Sequence, residues 1–356
     1  MLTRRSLLHG LSAAALVSGC GKSWRSVAQG ALTRGLTGLW GLQAADGGFH
    51  SSVYGLLKPG WSLTPFALLC ALRAGRAVDA EGAGRALGWM AHGTREGALG
   101  LSGDVPDYPC YAAAMALECH ARLRPSGWKP IVEDYAAWLR GLQLTRAGGW
   151  ADHAAQGGFR MGSRDAPTPP NPGHVDLSMT RRVVEALRAA DLPTSDPAIV
   201  EAVDFARRCR TPLGGFEYTA TDSALNKGPA DGDAGYGSAT ADGVLLLYAA
   251  GRRYEIERSI VRLRSQHRLD LNPGVERGKV PVFARAMRGY YRAAGARVFA
   301  IGGGPDRWQS DLVAAIVDEQ RPDGTWSNPD SAQKEDEPII ATGFALVALG
   351  AALSSA

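Results

Sequence analysis

The chain has 356 residues, 45% of them hydrophobic and 21% charged, a balance that supplies a large apolar core and excludes a disordered or fibrous protein. Its formal charge is only +4 and no Lys/Arg stripe with interleaved aromatics occurs, so nucleic acid is not an expected partner. The five cysteines form no CxxC pair and no Cys/His spacing of a zinc site, so neither a metal nor another cofactor is expected.

Residues 1–19 read as an export signal: Arg4-Arg5 precede an apolar run from Leu7 to Val17 that is too short to span a bilayer. Thr3-Arg4-Arg5-Ser6-Leu7-Leu8 resembles a twin-arginine signal, and Val17-Ser18-Gly19-Cys20 resembles the lipobox at which bacterial lipoproteins are cleaved and acylated. The expectation is a chain lipidated on Cys20, tethered by residues 20–25 and held at the cell envelope, facing periplasm or exterior, with one folded domain over 26–356. Loss of the leader removes two arginines and no acid, which brings the mature chain closer to neutrality. Cys70 and Cys119 fall within Ala- and Leu-rich runs and are expected to be buried thiols.

After the tether, a helix over 24–43 is predicted, and its partner begins near Ser62 with Pro65 tolerated in the first turn. A second pair is predicted over 78–92 and 107–123. A third covers 130–143 and 176–190, split by Pro167-Thr168-Pro169-Pro170-Asn171-Pro172-Gly173, a loop by its prolines. The fourth opens at Asp196-Pro197, an N-cap with proline at the first helical position, runs to Cys209 and is partnered over 238–250. The fifth is predicted over 253–266 and 280–294, the sixth over 310–320 and 339–353.

The turn inside each pair repeats. Its fullest form is Gln320-Arg321-Pro322-Asp323-Gly324-Thr325-Trp326; weaker copies are Gln43-Ala44-Ala45-Asp46-Gly47-Gly48-Phe49, Gln143 with Gly148-Gly149-Trp150, and Arg210-Thr211-Pro212-Leu213-Gly214-Gly215-Phe216. Degenerate copies stand at Gly97-Ala98-Leu99-Gly100-Leu101 and at Ser265-Gln266-His267. Glycine supplies the left-handed residue that ends a helix, and the aromatic folds back over the exposed end. The second helix of each pair is the more apolar, as in Val244-Leu245-Leu246-Leu247, and a helix apolar on all sides must be enclosed. Six enclosed helices inside six outer ones predict an all-α, closed (α/α)6 toroid of six helical hairpins.

With its repeats placed, the chain resembles the prenyltransferase/squalene-oxidocyclase repeat family of terpenoid-cyclase-like toroids, and in particular its bacterial lipoprotein members. The resemblance rests on Asp176-Leu177-Ser178-Met179-Thr180 with Glu185-Ala186-Leu187-Arg188, Gly215-Phe216-Glu217-Tyr218, Tyr236-Gly237-Ser238-Ala239-Thr240 and the last repeat from Gln320 to Leu349. It implies the toroid and a central cavity, but neither known chemistry carries over. Where the cyclases have Asp-x-Asp-Asp-Thr-Ala, this chain has Asp176-Leu177-Ser178-Met179-Thr180-Arg181, and a serine in the acid position cannot protonate an alkene. Where the prenyltransferases hold zinc with Asp-x-Cys-Tyr, this chain has Asp233-Ala234-Gly235-Tyr236.

In such a toroid the loops entering the inner helices converge on one mouth. Trp61, Tyr108, His174, Asp176, Asp233, Tyr236 and Glu337, together with Asp107 and Asp336, precede inner helices and form the candidate ligand-binding rim. Plainer readings stand beside this: Asp176 as a helix N-cap, Trp61 and Tyr236 as packing residues, and Lys334-Glu335-Asp336-Glu337 as a solvated loop face. The expected function is a monomeric envelope protein that binds an apolar, amphiphilic or isoprenoid-like molecule. Alternatives are a scaffold for another envelope protein, or an enzyme using Asp176 with Asp233 or Glu337 as a carboxylate pair.

Overall fold

A computed structural model describes residues 23–101, 107–162, 167–229 and 233–354. The expected export signal and Cys20 lie outside the described residues. Within them the repeating turn owes its shape to one glutamine side chain. Gln43 Nε2 donates to the carbonyl of Gly47 in its own turn and to that of Gly82, on the outer helix of the next hairpin, each at 2.9 Å. Gln143 does the same with Gly157 at 3.0 Å and Ala198 at 2.8 Å. Gln320 reaches Gly324 and Ala31, both at 2.9 Å, so the last turn is fastened to the first helix. The aromatic closing each motif donates its N–H to a threonine near the start of the inner helix: Phe49 to Thr64, Phe159 to Thr180, Phe216 to Thr240 and Trp326 to Thr342.

The third copy is therefore not the one expected. Gly157-Gly158-Phe159, rather than Gly148-Gly149-Trp150, completes the motif that Gln143 begins, and the residues between them are an excursion. The deciding contact is at Gly157, where φ is +83° and a Cβ would stand 1.9 Å from the carbonyl oxygen of Glu201. Only glycine fits so close to the neighbouring helix. Gly149 also has positive φ, but a Cβ there would make only an ordinary 3.8 Å contact with Pro169, and Trp150 packs edge-on against His153 instead.

The helices follow in pairs, outer then inner. They are α1 Trp24–Gly41 and α2 Leu63–Arg73, α3 Ala80–Gly93 and α4 Pro109–Leu123, α5 Trp128–Gly141 and α6 Leu177–Ala189. Next come α7 Pro197–Arg208 and α8 Gly237–Ala249, then α9 Glu257–Ser265 followed by the single turn α10 Phe283–Ala286 and α11 Arg288–Gly302, then α12 Trp308–Asp318 and α13 Pro338–Ser354. The degenerate turn after α3 is drawn into a two-residue hairpin, Thr94–Arg95 against Ala98–Leu99. The fifth inner helix starts later than its sequence suggests. Glu335 sets that start by accepting from the N–H groups of Gly289 and Tyr290, both at 2.8 Å, as a carboxylate at a helix N-terminus should.

The inner helices pack in the ring α2, α4, α6, α8, α11, α13, and α13 returns to pack on α2. Outside, α12 and α13 both rest on α1. The result is a closed all-α (α/α)6 toroid of six hairpins, with the inner ring enclosed by the outer. Enclosure explains why α8 is buried continuously from Gly237 to Leu247. That stretch includes one carboxylate, Asp242, and α6 likewise buries Arg181 and Glu185. Charges placed there need partners, and those partners meet at the centre of the ring.

Candidate functional site

The inner helices converge at their N-terminal ends on a cavity of about 540 Å³, walled by Phe66, Tyr111, Met115, Tyr290 and Phe344 among others. One side is organised by Asp176. Its backbone is extended (φ −144°, ψ 163°), and its Oδ1 caps α6 by accepting from Met179 N at 2.7 Å, the ordinary role of an aspartate in this position. The second oxygen, Oδ2, accepts from Tyr218 Oη at 2.8 Å and pairs with His174 Nε2 at 2.9 Å. Asp176 itself is fully buried, whereas His174 and Tyr218 line the cavity. The hydrogen bond to Asp176 raises the proton affinity of His174 against the effect of burial. Lys227 sits with Nζ 4.2 Å above the Tyr218 ring, and burial lowers its pKa.

The floor is polar. Tyr290 Oη donates to both oxygens of Asp242 at 2.8 Å and meets Ser178 Oγ at 2.7 Å. Arg181 Nε is 2.9 Å from Asp242 Oδ1 without the alignment of a hydrogen bond. Burial pushes the Asp242 carboxyl up to about 6, against the pull of Arg181 and the tyrosine hydroxyl. Beneath it, Arg73 spans Glu118 and Glu185 at 2.6 and 2.9 Å, and Arg297 reaches Glu185 at 2.7 Å. Burial opposes the charge of Glu185, but Arg297, Arg73, Arg181 and Arg182 together hold its carboxyl well below the usual range. Arg182 is the least satisfied member: among the described residues its Nε has no hydrogen-bond partner, and its Glu185 contact is 3.5 Å. This network closes the centre of the toroid. Beyond it, toward the C-terminal ends of the inner helices, lies a second chamber of about 600 Å³ lined by Arg122, Arg188, Tyr248 and Ile301 among others.

Of the rim residues read from the sequence, Tyr108, His174 and Tyr236 line the cavity, and Asp176 stands directly behind His174. The others do not line it. Trp61 stacks on Trp89 with ring centroids 4.5 Å apart. Asp233 is held by Arg262, and Asp107 accepts from the backbone and hydroxyl of Ser62 at the start of α2. Glu337 accepts from the Ser51 hydroxyl, Asp336 from Tyr54.

The carboxylate pair of Asp176 with Asp233 or Glu337 is therefore not assembled in the cavity. Lys334-Glu335-Asp336-Glu337 is not a solvated face either: Glu335 and Glu337 are each 3% exposed, and burial raises Glu335 to about 7. The residues missed in the sequence were Asp242, Arg181, Arg182, Tyr218, Lys227 and Tyr290. For Asp242, Arg181 and Arg182 the available signal was a charged side chain on an inner helix expected to be enclosed; Tyr218 and Lys227, in a loop, and the uncharged Tyr290 carried no such signal. Among the described residues, no group of three or more His, Cys, Asp or Glu is arranged to hold a metal ion.

Neither a protein-family model nor a curated protein matches the sequence. Solved structures match its shape. The type II terpene cyclase MstE from Scytonema, without ligand, superposes with a TM-score of 0.61 at 13% identity, over 93% of this chain and 99% of the cyclase. A variant of that cyclase in complex with geranylgeranyl dihydroxybenzoate, its substrate, gives 0.60 at 12% identity over 94% and 99%. A D-mannose isomerase gives 0.58 at 12% identity over 92% and 98%. At such identities the likeness is one of fold. The protein has the architecture of the terpene-cyclase-like helical toroids, a scaffold on which different chemistries are built.

Proposed function

We propose that the upper cavity binds an amphiphilic small molecule, with an apolar, isoprenoid-like body against the aromatic wall and an anionic head toward Arg181, Arg182 and Lys227. The supporting observation is a space of about 540 Å³ with aromatic and methionine walls, whose charged lining includes these three cations beside Asp242 and Glu335. Apolar burial supplies affinity at about 25 cal/mol per Å². Burial first, and then repulsion from Arg181 and Arg73, lowers the Arg182 pKa, and an anion placed at the floor offsets that repulsion. Geranylgeranyl dihydroxybenzoate, the substrate held by the MstE variant, has the same two-part build. Because the cavity is roomy and its floor closed, a ligand suits it better than a docked protein.

The chain is expected to act as a monomer at the cell envelope, anchored through Cys20; Cys20→Ser should abolish metabolic labelling with a fatty acid, and persistent labelling would refute the anchor. For the cavity, a fluorescent fatty acid is expected to bind, and Arg182→Leu to weaken it about tenfold, or about 1.4 kcal/mol. The matching fatty alcohol should bind both proteins alike. No binding by the wild type, or equal loss of acid and alcohol in the variant, overturns the reading.

A further inference from the structure

We infer that His174 is a general base: oriented by Asp176, it takes a proton on Nδ1 from the α-carbon of an enolisable carbonyl compound held in the cavity, beside the Lys227 ammonium. This rests on the cavity accepting a ligand and adds a reaction to it.

The geometry fixes the direction of proton flow. Asp176 Oδ2 accepts from the Tyr218 hydroxyl at 2.8 Å and lies 2.9 Å from His174 Nε2, which also stands 3.1 Å from the Tyr218 oxygen, whose own hydrogen is already given to Asp176. An ionised carboxylate accepts only, so Nε2 carries the hydrogen and the neutral ring is left with its lone pair on Nδ1. Among the described residues Nδ1 has no hydrogen-bond partner, and the His174 side chain is 37% exposed on the cavity wall. Asp176 cannot swing away, because its other oxygen caps α6 at 2.7 Å and Tyr111 Oη lies 3.4 Å from it. Asp176 is thus a positioning residue and His174 the catalytic one, the relation of carboxylate to imidazole that suits general-base work.

Lys227 packs on the Tyr218 ring and, among the described residues, no carboxylate lies within ion-pair distance of its Nζ, so its charge is available to an oxyanion. In the step, the C–H bond breaks, its proton goes to Nδ1, and its electron pair moves into the new C=C bond as the carbonyl π pair shifts to oxygen. The enolate oxygen then faces Lys227, and the imidazolium is neutralised by Asp176. Return of the proton to carbon regenerates both partners, and no further reactant is required.

Two measurements on the full chain decide this. The first is ring opening of 5-nitrobenzisoxazole, a small aromatic C–H acid whose deprotonation breaks its N–O bond and releases a coloured phenolate. Turnover should be saturable and fall about 100-fold in His174→Gln, the lower end of what a positioned base contributes. Asp176→Asn keeps the helix cap through its oxygen but turns an NH2 group toward His174 Nε2, which favours hydrogen on Nδ1, so turnover should fall and any residual pH–rate midpoint shift downward, since the carboxylate raises the proton affinity of His174. Lys227→Met should lower the plateau rate.

The second is nitrogen-15 NMR of labelled histidine, expected to show neutral His174 with hydrogen on Nε2. Wild-type turnover no greater than that of His174→Gln, or a neutral ring with hydrogen on Nδ1, overturns the assignment. Fatty-acid binding measured in the same variants separates the two readings: its absence removes the amphiphile proposal, while the tautomer and the probe still judge the base.

Discussion

Asp242 shows how burial writes a pH dependence into this protein. Its carboxyl is raised from 3.8 to about 6, with burial as the largest cause. The folded state therefore binds a proton that the unfolded chain has already released. Its contribution to stability is fully present below about pH 4 and is lost as pH rises through about 6, a swing on the order of 2–3 kcal/mol. Glu335, raised to about 7, acts in the same direction over a higher window. Glu118 and Glu185 act oppositely, because arginines hold them down against burial and their contribution is lost only as pH falls below the ordinary carboxylate range.

Asp242→Asn cannot titrate yet can still accept from Tyr290. The expectation is that the variant gains on the wild type as pH rises, being relatively more stable at pH 8 than at pH 5 by roughly 1.4 kcal/mol. Urea midpoints at the two pH values measure this, and a difference that does not change with pH would show that Asp242 titrates normally.

At the scale of the element, the unit is a turn that serves two hairpins at once. Gly157 and Gly149 separate the true turn from its decoy. Both have positive φ, so alanine at either carries the left-handed penalty of about 1–2 kcal/mol. Only Gly157 lies against the backbone of α7, so Gly157→Ala should cost a further ~1–3 kcal/mol of overpacking. Thermal or urea unfolding of the two variants checks it; equal losses would restore Trp150 to the motif.

The same comparison explains what was legible in the sequence. The repeated turn, clear in four copies and degenerate in two, together with the apolar second helices was enough to read six hairpins and an enclosed ring, because that chemistry is local. The choice between Trp150 and Phe159 was not local, since it depends on how near Glu201 comes. The start of α11 was hidden for a like reason: Glu335, more than forty residues away, caps it. In the site, His174 and Asp176 were legible from their place before an inner helix. Asp242 and Arg181 were not, because their meaning comes from facing one another across the ring rather than from their neighbours in the chain.

At the scale of the whole molecule, closure is what turns a row of hairpins into a container, since the wall between Phe66 and Phe344 exists only where the last inner helix meets the first. Those rings sit edge to face at 5.4 Å, and the seam is held tight by glycine: a Cβ on Gly350 would meet the Arg73 carbonyl oxygen at 2.8 Å and Ala74 at 2.9 Å. Gly84, by contrast, lies on outer helix α3 with nothing within 4 Å. Alanine at the two sites should act in opposite senses. Gly84→Ala should stabilise by about 0.5–1 kcal/mol through helix propensity alone and leave ligand binding unchanged. Gly350→Ala should destabilise by about 1–3 kcal/mol, because α13 must back away from α2 to admit the methyl group. That retreat also pulls Arg73 from its place between Glu118 and Glu185, so the floor of the cavity loosens with its wall. A fatty-acid titration of Gly350→Ala under conditions where it remains folded should therefore show weakened binding, although the substitution touches neither the aromatic wall nor the cations. Unchanged affinity in a destabilised variant would mean that the cavity keeps its shape independently of the seam, and that closure contributes to stability alone.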